Sequence, residues 1–217
     1  MEMIIKNLKK AYKDKIIYDD FNLEIIENQK LVILGESGVG KTTLLNVLLG
    51  LTDFQGQITG KPEKVSVVFQ ENRLVPNLSV SDNLRLVAKN VEVDSVLKEF
   101  NLQGAENLLP KNLSAGMARR VALIRAIIYD APLLLMDEPF INLDIALKYS
   151  LIEKLNDTFI KKPRTVVAIM HDIKEAVTFA DRIVVISKGK VVFDTKVNKN
   201  TENELFGIMM SIGSEKV

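Results

Sequence analysis

Five short stretches of this sequence carry residue types suited to handling a polyphosphate. "GESGVGKTT", Gly35 to Thr43, has the spacing G-x-x-x-x-G-K-[ST] between an apolar run and a helical one. Gly35, Gly38 and Gly40 let the backbone of Glu36, Ser37, Val39 and Thr43 curl so that N–H groups face an anion. Lys41 would reach the terminal phosphates and the Thr42 hydroxyl would ligate Mg²⁺. "LLLMDEP", Leu133 to Pro139, is an apolar run ending in two acids. A buried strand ending this way places both carboxylates at the sheet edge where open α/β folds bind ligands. Asp137 would hold Mg²⁺ through water, and Glu138 would orient or deprotonate the attacking water beside a γ-phosphate.

The other three stretches offer one or two positions each, with suggestive neighbours. His171, the only histidine, directly follows the apolar "TVVAIM" and could hydrogen-bond a γ-phosphate. Gln70 ends "VVFQ", where its amide could touch Mg²⁺ or water. Ser114 and Gly116 open "SAGMARR", a helix start followed by a basic pair that suits gripping a phosphate. Taken singly, these residues have plainer readings: a Gly-rich surface turn, a solvated strand end, a surface histidine, a loop glutamine. Their arrangement at successive strand ends is what favours the chemical reading.

Positioning them requires a parallel sheet. "KLVILG", "KVSVVFQ", "PLLLMD", "RTVVAIM" and "RIVVISKG" are short apolar runs of the kind a doubly covered strand shows. "MIIKNL" and "KIIYDDFNLEII" alternate instead, which predicts an antiparallel β portion at the N-terminus. "SVSDNLRLVAKN", "VDSVLKEFNL" and "SAGMARRVALIRAIIYD" have helical spacing, with Ser114 a cap for the last. The expected fold class is α/β: a P-loop NTPase core with a helical subdomain inserted at about residues 73–130. "TENELFGIMMSIGSEKV" is expected to form a short helix and a tail.

Composition bounds the function. The 217 residues suit one domain, 47% are apolar, and the formal charge is +1. Nothing in that balance asks for nucleic acid as a partner. Without cysteines, disulfides and thiolate metal sites are excluded. The N-terminus does not read as a signal peptide, and the apolar runs fall short of the roughly 20 residues of a membrane helix.

Together these residues resemble the nucleotide-binding subunit of ATP-binding cassette (ABC) transporters, over nearly the whole chain. "GESGVGKT" resembles the Walker A motif and "LLLMDEP" Walker B. Gln70 is similar to the Q-loop glutamine, His171 to the switch histidine, "INLD" to the D-loop with Asp144, and "LSAGM" to the LSGGQ signature. The resemblance implies a Mg²⁺-dependent ATPase, with Lys41, Glu138 and His171 in catalysis. It also implies a head-to-tail dimer, with itself or a different cassette, in which one subunit's signature contacts ATP held by the other. Tyr12 stands where the family often stacks an aromatic on adenine, although a packing tyrosine is an equal alternative. Ala115, Met117, Ile141 and Asn142 depart from the family's usual residues, which bears on the contact in trans.

Since the chain has no span of its own, the resemblance implies transmembrane permease subunits as partners and a cytoplasmic, peripheral location on the membrane's inner face. "DEPF" and "FQENRLVPNLSVSDNL" lean toward importers of the nitrate, sulfonate or taurine type, whose full system adds a solute-binding protein. Two alternatives are a P-loop small-molecule kinase, which would need an Arg-rich lid, and an ABC ATPase outside transport.

Overall fold

The computed structural model describes residues 2–214. Strands β1 (Met3–Tyr12) and β2 (Lys15–Ile25) pair antiparallel, with Met3 opposite Ile25 and Tyr12 opposite Lys15. A third strand, β4 (Gln55–Thr59), adds to the other side of β1, giving the order β2-β1-β4. This strand escapes a reading by hydropathy because "QGQIT" is mostly exposed and polar.

The second sheet has six strands in the order β5-β6-β7-β3-β8-β9. They are β3 (Lys30–Gly35), β5 (Val65–Val68), β6 (Leu133–Asp137), β7 (Thr165–Ile169), β8 (Arg182–Ser187) and β9 (Lys190–Lys196). All neighbours run parallel except β8 and β9, a hairpin at one edge. The continuous apolar character of β3 and β6 follows from burial on both faces. Side chains alternate across a strand, so Val32, Leu34, Leu134 and Met136 enter one core while Leu31, Ile33, Leu133 and Leu135 enter the other.

The second of these cores lies between the two sheets and takes in α1 (Lys41–Leu49), which supplies Leu44, Leu45, Val47 and Leu48. Gly50 ends that helix in the left-handed region, and its N–H returns to the carbonyls of Asn46 and Val47. The first core lies under the remaining helices. Between β5 and β6 the chain forms α2 (Val80–Arg85), α3 (Val93–Glu99), a 3₁₀ turn (Pro110–Asn112) and α4 (Ala115–Ile128). Val80, Leu84, Leu97, Val121 and Ile124 from these helices share one cluster with the sheet.

The helix expected from Ser79 to Asn90 is shorter than the spacing predicts. After Arg85 only isolated turns continue, such as Val87 N–H to Leu84 O, and Leu86 faces solvent. Arg85, Leu86, Lys89 and Asn90 are all exposed, so further turns would gain little burial to offset their ordering. The chain closes with α5 (Ile145–Lys161), α6 (Ile173–Phe179) and α7 (Thr201–Ser214). The expected tail, residues 215–217, lies outside the described residues.

Candidate nucleotide site

The loop from β3 into α1 is held by its own glycines and by a tyrosine. Gly38 has φ +76°, a conformation costly for other residues, and a Cβ there would meet nothing within 4 Å. At Gly40 a Cβ would stand 2.4 Å from Ile17 Cγ2 and 3.1 Å from the Tyr18 hydroxyl. That hydroxyl donates to the Gly40 carbonyl at 2.9 Å. Tyr18 is buried on β2, and burial pushes its phenol up, so the oxygen keeps its proton. Sequence reasoning passed over Tyr18; its inward position in an alternating strand was the available signal.

Lys41, the first residue of α1, is 5% exposed. Its Nζ donates to the carbonyls of Gly35 at 2.7 Å and Glu36 at 2.8 Å. Desolvation lowers its pKa, while the carboxylates of Glu138, Asp137 and Glu36 oppose that shift. A buried ammonium inside a curled loop at a helix N-terminus is matched to an anion of high charge.

The carboxylates arrive from the other side. Asp137 ends β6, is 6% exposed, and accepts a hydrogen bond from Thr42. Burial holds its carboxyl above the usual range, against the Thr42 hydroxyl, with Glu138 adding to the rise. Glu138 follows with φ +48°, a left-handed conformation uncommon outside glycine, and its N–H donates to Ile169 O at 3.1 Å. Such outliers collect where function over-determines the backbone. His171 Nε2 lies 2.7 Å from Glu138 Oε1.

Lys41, Glu138 and His171 meet in one cleft of about 420 Å³, within the range of small-ligand sites, while Asp137 lines an adjoining pocket that shares Thr42 and Gln70 with it. Ser37, Gly38, Gly40, Lys41, Thr42 and Thr43 form one wall, and Gln70, Glu138 and His171 another. Tyr12 stands on the cleft 46% exposed, with Lys15, Ile17 and Ile169 beside it, three residues that sequence reasoning did not single out. Gly35, Glu36 and Val39 shape the loop without lining the cleft. Among the described residues no cluster of three His, Cys, Asp or Glu could hold a metal. Thr42, Asp137 and Gln70 supply one carboxylate and two neutral oxygens, a set that fits Mg²⁺ completed by phosphates and water.

Ser114, Gly116 and Asp144 do not line the cleft of their own chain. Ser114 caps α4, its oxygen accepting from Met117 N–H at 3.2 Å, and Asp144 caps α5, accepting from Leu147 N–H at 2.9 Å. Met117 packs partly buried against the main core, which accounts for an apolar side chain there. Ile141 and Ile145 of the neighbouring segment are 37% and 75% exposed.

Behind the site stands a residue that sequence reasoning did not identify. Arg119, on α4, is buried, and desolvation lowers its guanidinium to about 10, opposed by the charges of Asp137 and Glu138. It therefore stays protonated at neutral pH.

Comparison with known proteins agrees with this geometry. The family model described as ABC transporter matches residues 18–141, more than half of the chain. The aliphatic sulfonates import ATP-binding protein SsuB 2 of Paraburkholderia xenovorans is 36% identical, covering 95% of this chain and 85% of the relative. Its namesake in Rhodococcus jostii is 37% identical over 88% of this chain and 80% of the relative. A bacterial ABC transporter cassette solved as a dimer superposes with TM-score 0.80 at 27% identity, covering 90% of this chain and 99% of that one. The same cassette solved in a post-hydrolysis state bound to ADP and Pi superposes equally well. The chain belongs to the ABC transporter family, as an ATP-binding and ATP-hydrolysing cassette that powers transport.

Proposed function

We propose that this cassette powers solute import by closing head-to-tail with a second cassette over two ATP molecules. The observation that carries the reading is the separation of two half-sites. Lys41, Thr42, Glu138 and His171 share one cleft, while Ser114 and Gly116 lie off it at the N-terminus of α4. A second cassette brings its own Ser114 and Gly116 to the γ-phosphate. Gly116 supports this: a Cβ there would meet only ordinary contacts, Asn142 O at 3.4 Å and Leu143 Cδ2 at 3.5 Å. Packing within the chain does not demand glycine there, which is consistent with a position kept bare for close approach by a partner.

In this reading the P-loop N–H groups and Lys41 take the phosphate charge, and Tyr12 stacks on the adenine. Glu138, held by His171, orients a water on the γ-phosphorus; the bond to the ADP oxygen breaks as the water oxygen bonds to phosphorus. Most of the acceleration comes from positioning and a preorganised cradle. Thr42, Asp137 and Gln70 would hold Mg²⁺, which would supply positive charge against the phosphates.

Residues 73–130 act as a helical subdomain that meets separate transmembrane permease subunits at the cytoplasmic face of the membrane. No described helix is long and apolar enough to cross a membrane. The sulfonate importers among the relatives support a small organic anion as cargo, delivered by a solute-binding protein. Size-exclusion chromatography of Glu138→Gln with and without Mg-ATP tests the arrangement. A nucleotide-dependent shift from monomer to dimer is expected; a variant that binds ATP and stays monomeric argues for a different second cassette or for the kinase chemistry.

A further inference from the structure

Arg119 is 1% exposed and gives all but one of its hydrogen bonds to the backbone of two distant segments. Its Nε donates to Pro139 O at 2.9 Å, and its Nη2 to Asp137 O at 2.8 Å and Glu138 O at 2.6 Å. Its Nη1 donates to Phe69 O at 2.5 Å and Gln70 O at 3.3 Å, and also reaches Asn72 Oδ1 at 3.4 Å. Carbonyls of successive residues point to opposite sides in an extended strand. Here three in a row converge on one guanidinium, because Glu138 turns the chain at φ +48°. A planar cation with five donors in a fixed fork is suited to hold such a set; an ammonium is not.

The same residue sits five positions after Ser114, on the helix that begins the phosphate-gripping turn. We propose that Arg119 is a positioning residue for ATP hydrolysis, locking the backbone that carries Glu138 and tying it to Gln70 and α4. The three segments then move as one when α4 is engaged at its N-terminus. This rests on the reading of Glu138 as the water-orienting group. Any wobble in the turn is transmitted directly to the carboxylate, whereas the P-loop, built on β3 and α1, is untouched. Asp137 and Gln70, which would hold Mg²⁺, sit in the same fork, so its loss should cost turnover far more than Mg²⁺-free nucleotide binding.

The test compares Arg119→Lys and Arg119→Gln with the native chain in kcat, affinity for a fluorescent ATP analogue without Mg²⁺, and melting temperature. Both should lower kcat by about 10- to 100-fold, the scale of an ångström-sized misplacement, with affinity measured without Mg²⁺ nearly unchanged. Ile124→Val, which removes one methyl from the buried face of the same helix, should leave kcat unchanged. Three results overturn the proposal: native kcat in a folded Arg119 variant, Mg²⁺-free affinity worsening in step with kcat, or failure of both variants to fold, which would make Arg119 a core residue only. Glu138→Gln run alongside keeps the two readings apart. Normal hydrolysis in that variant removes the site assignment, whereas an inert Glu138→Gln beside an active Arg119→Gln removes this inference alone.

Discussion

His171 and Glu138 are 33 residues apart in sequence, yet an imidazole nitrogen of one lies 2.7 Å from a carboxylate oxygen of the other. The contact exists because β6 and β7 are parallel neighbours in register, with Asp137 opposite Ile169. Each residue follows its strand by one or two positions, so both side chains emerge at one sheet edge. Glu138 is the more sheltered, its side chain 21% exposed against 46% for His171.

Replacing His171 by Ala should leave Glu138 without its orienting partner. Turnover under single-turnover conditions should fall by about 10²- to 10⁴-fold, the range of a lost acid–base or orienting group, with ATP affinity kept. Native rates would reduce the contact to an incidental one.

Asp137 is a site where function is set against stability. A carboxyl whose pKa is raised on folding holds its proton more tightly in the native state. Stability therefore declines as pH rises from the ordinary carboxylate range through the raised value. Asp137→Asn removes that charge and keeps an oxygen for the Thr42 hydroxyl. At neutral pH its melting temperature should rise by about 2–4 °C, near 1 kcal/mol for a chain of this size, while Mg²⁺-dependent hydrolysis is lost. Below the ordinary carboxylate range the gain should vanish. A lower melting temperature at neutral pH would contradict this.

Tyr18→Phe deletes one hydroxyl and the bond to Gly40 O. Stability should drop by about 1 kcal/mol, as for a typical buried hydrogen bond, and ATP affinity should weaken several-fold as the loop loosens. Calorimetric titration with ATP reads the second effect. Unaltered affinity would show that the glycines alone set the loop.

Two substitutions separate capping from phosphate contact at the signature. Ser114→Asp keeps a good N-cap and should melt as the native chain does, yet its charge should repel a γ-phosphate. Gly116→Ala should stabilise α4 by about 0.5–1 kcal/mol while its methyl blocks close approach. In a Glu138→Gln background both should abolish ATP-dependent dimers. Dimers that persist in both would mean that α4 does not face the nucleotide.

Much of the site could be read from the chain itself, because its local chemistry is local in sequence. The P-loop spacing, the Asp137–Glu138 pair ending an apolar run and the Ser114 cap each depend on residues within one turn or strand. The same holds for the apolar runs that form the parallel strands. Strand β4 was not legible, since its polar residues gain their place only by pairing with β1. Nor were Tyr18 and Arg119, whose side chains serve backbone groups 22 and 18 to 50 residues away.

The sequence by itself determined which groups were on hand: a curled anion loop, two carboxylates, one imidazole and a glycine-bearing helix start. The tertiary structure decided which of them meet. Strand order β5-β6-β7-β3-β8 sets His171 between Glu138 and the P-loop, and it leaves Ser114 on a helix outside that cleft. The physical reason is burial. Each parallel strand must cover both faces, so the order is chosen by how all the apolar surfaces fit together, a condition that no single stretch of sequence contains.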